Sequence, residues 1–111
     1  MYFVYIVRCC DGSLYTGMTA DLRRRLREHM QQLPSCARYT KSHPALALEA
    51  AWQTETRSDA LRLEALIKRL PRSRKLALIA APAEVEKVFG EKLKDSKYSP
   101  LAQKMLSLPF K

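Results

Sequence analysis

Apolar residues occupy both parities of the chain between Tyr2 and Cys9, the pattern of a central strand covered on both faces. Residues 13–18 read as its hairpin partner across Asp11-Gly12. Two turn geometries compete there. A two-residue Asp11-Gly12 loop pairs Cys10 with Ser13 and sends Tyr5 and Tyr15 to opposite faces. A three-residue loop, a type I turn closed by a bulge with Gly12 at positive φ, pairs Cys9 with Ser13 instead. Tyr15 then faces Val7, Tyr5 faces Gly17, and both tyrosines share one face. A glycine opposite Tyr5 leaves room for its ring, so the bulged turn is the one expected.

Further along, Leu22, Leu26 and Met30 form one stripe at helical spacing, with Thr19 or Asp21 available as a cap. Residues 31–44, with Pro34 and Pro44, read as a loop. Residues 45–54 suit a third strand. Thr56-Arg57-Ser58-Asp59 has capping-box spacing and opens a helix to about residue 70, with Leu63, Leu66, Ile67 and Leu70 as its core stripe. After Pro71 a short helix is expected over 73–81. Pro82 suits the first turn of another over 83–93. The order strand, strand, helix, strand, helix, helix predicts an α+β fold: a small three-stranded antiparallel sheet flanked by helices, with a helical and irregular C-terminal extension over 82–111. Residues 95–111, with Pro100 and Pro109, read as a partly ordered tail.

At 111 residues the chain is one domain, with or without a short appendage. No stretch approaches the roughly 20 apolar residues of a membrane-spanning helix, and the apolar run after Met1 is short for a signal peptide. Cys9 and Cys10 are adjacent, so a bond between them is strained, and Cys36 stands apart. An odd count without a Cys-x-x-Cys pair fits a reducing compartment and matches no zinc-knuckle spacing. Cytoplasmic residence with no membrane association is the expectation. Twenty Lys and Arg against eleven Asp and Glu give a net charge of +9. Most of the excess lies in residues 1–81, which hold fourteen basic and seven acidic side chains. A field of that sign draws polyanions, nucleic acid first among them.

Four residues near the N-terminus could handle a phosphate: Tyr5 and Tyr15 on paired strands, then Arg25 and His29 one turn apart on a basic helix. Arginine presents a planar fork of donors that fits phosphate oxygens. Each residue also has an ordinary role: tyrosines pack in cores, arginines line solvated helix faces, histidines settle near helix C-termini, and Glu64 with Lys68 is a common i,i+4 pair.

Taken together, Phe3-Val4-Tyr5, Tyr15-Thr16-Gly17, Arg25, His29 and Glu64 resemble the GIY-YIG nuclease superfamily, especially its small single-domain bacterial members. In the first motif only the tyrosine survives. The resemblance covers residues 1 to about 80 and implies a catalytic domain over 1–81. It implies Tyr5, Tyr15, Arg25 and His29 as catalytic residues, with a tyrosine serving as base or orienting the water. It implies Glu64 as ligand of one divalent metal ion, Mg²⁺ or Mn²⁺. A tyrosine base needs nearby positive charge to lower its pKa from about 10, and Arg25 and the metal are the candidate sources. Arg24, Arg27, Arg38, Lys41, Lys68, Arg72 and Lys75 are candidates for gripping the nucleic-acid backbone, most simply that of DNA. Tyr39 and His43 add aromatic character to the 31–44 segment.

Many catalytic relatives carry an asparagine after the second helix. This chain has none, and the region offers Arg72, Ser73, Arg74 and Lys75. Two functions therefore stand side by side: a metal-dependent DNA endonuclease, and a nucleic-acid-binding module that keeps the fold without turnover. A third, an adaptor that docks a protein partner through the C-terminal extension, has weaker support. Selectivity would rest on nucleic-acid shape or on a partner. Oligomeric state is not legible in the sequence.

Overall fold

A computed structural model describes residues 1–32, 37–93 and 98–101, the Arg38 side chain excepted. Strands β1 (Tyr2–Cys9), β2 (Leu14–Thr19) and β3 (Ala45–Thr54) form an antiparallel sheet with β1 in the middle. A two-residue strand β4 (Ser99–Pro100) adds to the free edge of β3, giving the order β2-β1-β3-β4. The sheet thus has four strands where the pattern predicts three. The extra one is too short to show as alternation, and its proline is tolerated because an edge position requires few backbone donors.

The hairpin takes the bulged form. Gly12 sits at φ 86°. Its amide donates to the Cys9 carbonyl at 2.9 Å, and the Cys9 amide donates to the Ser13 carbonyl at 2.8 Å. The Asp11 carboxylate accepts from the Ser13 amide at 3.0 Å and so ties the turn to the strand. The resulting register sets Val7 opposite Tyr15 and Tyr5 opposite Gly17.

Helices cover both faces. Helix α1 (Leu22–Met30) starts at Asp21, whose carboxylate accepts from the Arg24 amide at 3.1 Å. It packs Leu26 against Tyr5, Val7, Ala45 and Ala51. Helix α3 (Arg57–Lys68), capped by Thr56 accepting from the Asp59 amide, covers the other face with Ala60, Leu63 and Ile67. Leu66 and Leu70 pack against that core half-buried. Helix α4 (Arg72–Ala80) adds Leu78.

Two segments depart from the pattern. Residues 38–42 form a short helix, α2 (Arg38–Ser42), inside the stretch read as loop. Pro34 and Pro44 lie outside it, and the Gln32 side chain holds its end by donating to the carbonyls of Thr40 at 3.3 Å and Lys41 at 2.9 Å. The helix expected over 83–93 is broken into a 3₁₀ turn (Pro82–Glu84), helix α5 (Val85–Phe89) and a second 3₁₀ turn (Gly90–Leu93). Gly90 takes φ 55° there, which ends the helix.

The segment after Pro82 is bound into the main core. Val85, Phe89, Leu93 and Tyr98 are buried with Val4, Ile6 and Trp52. Trp52 donates from Nε1 to the Pro82 carbonyl at 2.9 Å, and the Tyr98 hydroxyl donates to the Asp59 carbonyl at 3.0 Å. Residues 94–97 and 102–111, including most of the expected tail, lie outside the described part. No helix among the described residues is long and apolar enough to cross a membrane.

A side chain at position 12 would be forced into the left-handed region. Gly12→Ala should therefore lower stability by about 1–2 kcal/mol, read as an earlier urea midpoint, and Gly12→Asn should cost less. An unchanged midpoint for Gly12→Ala would mean that the turn does not need this conformation.

Candidate active site

The bulged hairpin puts both tyrosines on the α1 face, with ring centroids 6.4 Å apart. Gly17 is what lets them meet. A Cβ at that position would lie 2.5 Å from the Tyr5 hydroxyl and 3.1 Å from the Tyr15 ring, so the Tyr5 ring would have to move from its place.

Helix α1 then lays Arg25 and His29 over the pair. His29 is fully buried, and its ring lies 5.5 Å from each tyrosine ring. Nε2 is hydrogen-bonded to the Tyr5 hydroxyl at 2.6 Å, and Nδ1 to the Thr40 hydroxyl of α2 at 2.8 Å. Arg25 hydrogen-bonds Tyr5 and donates from Nη1 to the Glu28 carboxylate at 3.0 Å. Glu28 is nearly buried, with Arg24 on its other oxygen at 3.8 Å.

Burial dominates the electrostatics. It drives the Tyr5 phenol above its ordinary pKa, and Tyr15 adds to this. The hydrogen bond and charge of Arg25 pull the other way and lose. Arg25, one of the two sources of positive charge considered for a tyrosine base, lowers the Tyr5 pKa as argued, but desolvation outweighs it. Tyr15 is raised as well, by burial first, with Arg25 opposing and Glu64 adding. Burial, then the Arg25 charge, lowers His29 to about 4. At neutral pH the pair is therefore a phenol beside a neutral imidazole. Burial also works against the Arg25 charge, but its hydrogen bonds to Glu28 and Tyr5 prevail and hold its pKa above the usual arginine value.

Glu64 comes from the opposite side of the sheet, on the helix that packs against edge strand β2. Its carboxylate ranks last among the charges that raise the pKa of both tyrosines, and Lys68 lies 3.9 Å from it. Among the described residues no group of three or more His, Cys, Asp or Glu could hold a metal ion. One carboxylate suits magnesium or manganese, which keep several waters and take further oxygens from a phosphate, and does not suit a zinc cage.

The structure thus brings Tyr5, Tyr15, Arg25 and His29 together, with Glu64 within electrostatic reach of the two tyrosines. The proposed backbone-gripping residues are spread more widely. Arg24, Arg27 and Lys41 are exposed on α1 and α2, Lys68 is exposed on α3, and Arg72 and half-buried Lys75 open α4. The Arg38 side chain lies outside the described part. Three participants escaped the sequence pattern: Glu28, Thr40 and the Tyr39–His43 pair as a stack. Tyr39 stacks on Tyr15 at 5.6 Å and on His43 at 4.1 Å, extending the aromatic row along α2. The i,i+4 spacing of Tyr39 and His43 was the available signal, masked by the flanking prolines. For Glu28 the available signal was its spacing, i+3 from Arg25 and i+4 from Arg24, which is also that of an ordinary surface ion pair.

Residues 1–77 match the GIY-YIG catalytic domain. A UPF0213 protein of Fusobacterium nucleatum is 36% identical over 97 residues, covering 84% of this chain and 95% of that protein. One from Staphylococcus aureus is 44% identical over 78 residues, covering 70% of this chain and 93% of its own length. Among solved structures, the solution NMR structure of a UPF0213 protein from Bacillus halodurans is 35% identical and covers 81% of this chain and 98% of that one, with a TM-score of 0.47.

The buried imidazole has a consequence for stability. Its folded pKa, about 4, lies below the ordinary 6.5, so between these values the unfolded chain binds more protons. Stability from this residue is complete above pH 6.5 and is lost as pH falls toward 4, at up to roughly 1.4 kcal/mol per pH unit. Urea melts at pH 7 and pH 4.5 should show a smaller acid loss for His29→Gln than for the native chain. Equal losses would contradict a buried neutral His29.

Proposed function

The chain belongs to the GIY-YIG catalytic-domain family, and from that premise we propose that it is a metal-dependent endonuclease hydrolysing phosphodiester bonds in DNA. The observation that carries this reading is the 2.6 Å contact between the Tyr5 hydroxyl and His29 Nε2, set beside a cationic Arg25 and the Glu64 carboxylate. Hydrolysis needs a proton acceptor near the attacking water and positive charge on the phosphate.

In this reading Tyr5 orients the water. As the water's proton moves to the phenol oxygen, the phenol proton passes to neutral His29, so no free phenolate has to form in advance. The low basicity of His29 makes it a transient acceptor, and a developing negative charge on Tyr5 is met by the Arg25 hydrogen bond. Arg25 presents its guanidinium to the scissile phosphate, its fork steadied by Glu28. Tyr15 closes the far side of the pocket and offers a hydroxyl to a phosphate oxygen. Glu64 would hold the divalent cation, magnesium or manganese, which supplies Lewis-acid charge to the phosphate and the leaving oxygen. Arg24, Arg27, Lys41, Lys68, Arg72 and Lys75 serve the flanking backbone, and the excess positive charge draws DNA to the face.

One observation favours a second reading, a binding module without turnover: the region after α3 carries Arg72, Ser73, Arg74 and Lys75, and the whole chain lacks asparagine. Both readings require salt-sensitive DNA binding. They part on products.

A panel of single-stranded, duplex, flap and junction DNA with Mg²⁺ or Mn²⁺ decides between them. The native chain should cut at least one substrate only when the metal is present, and Glu64→Ala should slow cutting on the order of a hundredfold or more while still binding DNA. Undiminished cutting by Glu64→Ala would refute the assigned metal site. Binding without products on every substrate would establish the module.

A further inference from the structure

The polarity of the hydrogen-bond chain beyond Tyr5 can be worked out from the number of protons available. Thr40 is fully buried. Its hydroxyl has one proton and two neighbours that can take it, the Ala37 carbonyl at 3.1 Å and His29 Nδ1 at 2.8 Å. A carbonyl oxygen only accepts. The buried Tyr5 hydroxyl decides between them: its own proton has His29 Nε2 as acceptor at 2.6 Å, so Nδ1 carries the imidazole proton and the Thr40 oxygen accepts it at 2.8 Å. A neutral imidazole carries one proton. With that proton on Nδ1, the lone pair lies on Nε2, where the Tyr5 hydroxyl sits at 2.6 Å. The chain then runs one way: Tyr5 donates to His29, His29 to Thr40, and Thr40 to Ala37.

The opposite tautomer would break this order. A proton on Nε2 would point at Tyr5, leave the buried phenol proton without His29 as its acceptor, and turn the Thr40 proton away from Ala37 toward Nδ1. With Tyr5, His29 and Thr40 all buried, a phenol proton left without His29 is a costly mismatch in the resting chain.

The segment that carries Thr40 is held firmly enough to enforce this. Gln32 lies just past the end of α1, in the left-handed backbone region at φ 50°. That conformation is unfavourable for a residue with a side chain. It aims the Gln32 amide at the carbonyls of Thr40 and Lys41, to which Nε2 donates at 3.3 and 2.9 Å. The clamp ties α2 to the helix that bears His29. Stacking of Tyr39 on Tyr15, at 5.6 Å with 18° between the planes, fixes the same helix to the hairpin.

We propose that Thr40 is a positioning residue that locks His29 in the Nδ1–H tautomer, so that Nε2 can accept the proton of Tyr5. This deepens the nuclease reading and rests on it for its catalytic consequence. The tautomer itself is a property of the folded chain and can be measured whether or not the chain cuts DNA. Thr40 touches neither phosphate nor water in this scheme, and acts only through His29.

The test compares the native chain with Thr40→Val, which keeps the branched shape without the hydroxyl, and Thr40→Ser, which keeps the hydroxyl. Long-range ¹H–¹⁵N correlation spectra at pH 7 distinguish the two imidazole nitrogens directly. The native chain and Thr40→Ser should show His29 protonated at Nδ1, and Thr40→Val should shift the proton to Nε2. In single-turnover cleavage, Thr40→Val should lower the maximal rate about tenfold to a hundredfold, change half-saturation less than about twofold, and be rescued in Thr40→Ser. A Thr40→Val spectrum still showing the Nδ1–H form would overturn the proposal, as would a shifted proton with an unchanged cleavage rate. If no variant of the chain cuts DNA but the spectra behave as expected, the tautomer lock stands and the nuclease reading fails.

Discussion

Gly12 at φ 86° adds one residue to the hairpin loop, and the site face depends on that addition. Side chains alternate along a strand, so a pairing shifted by one residue moves every side chain of β2 to the other face. In the observed register Tyr15 opposes Val7 and Gly17 opposes Tyr5. In the alternative, Tyr15 would point into the core formed with α3. Gly17 completes the constraint, because a Cβ there would collide with the Tyr5 hydroxyl. Two glycines thus set the geometry: one by its backbone freedom, the other by the absence of a side chain.

Once the tyrosines share a face, burial decides their chemistry. Helix α1 covers them with Leu26 and His29 on one stripe and leaves Arg25 at its rim. The enclosed phenol resists ionising and the enclosed imidazole resists protonation. Such a pair is inert as separate acid and base but suited to relaying one proton, which restores the neutral phenol and leaves the imidazolium only transiently. Arg25 matters less for setting a resting pKa than for receiving negative charge when it develops. Its own position is steadied by Glu28, which bridges it to Arg24.

Much of this was legible in the chain. The limits of β1, α1 and β3 follow from the pattern of apolar residues, because each has one clean buried face or two. The bulged turn followed from asking where two aromatic rings could sit. What escaped has a common cause: it depends on partners distant in sequence. Helix α2 is only five residues long and is held by Gln32 and Tyr15, not by its own apolar stripe. Strand β4 exists because β3 offers an edge to pair with. Thr40 looks like any polar loop residue until the fold brings it to His29. The direction of the Tyr5 shift was also out of reach, since it rests on how deeply the ring is buried and not on which charges flank it.

The central claim is that Tyr5 and His29 act as one unit. A double-mutant cycle in single-turnover cleavage, with Tyr5→Phe, His29→Gln and both together in Mg²⁺ buffer, tests that claim most directly. Each single change is expected to slow cleavage on the order of a hundredfold, with the double variant no slower than the worse single. A double variant slowed by the product of the two single losses would mean that the residues act independently, and would contradict the account.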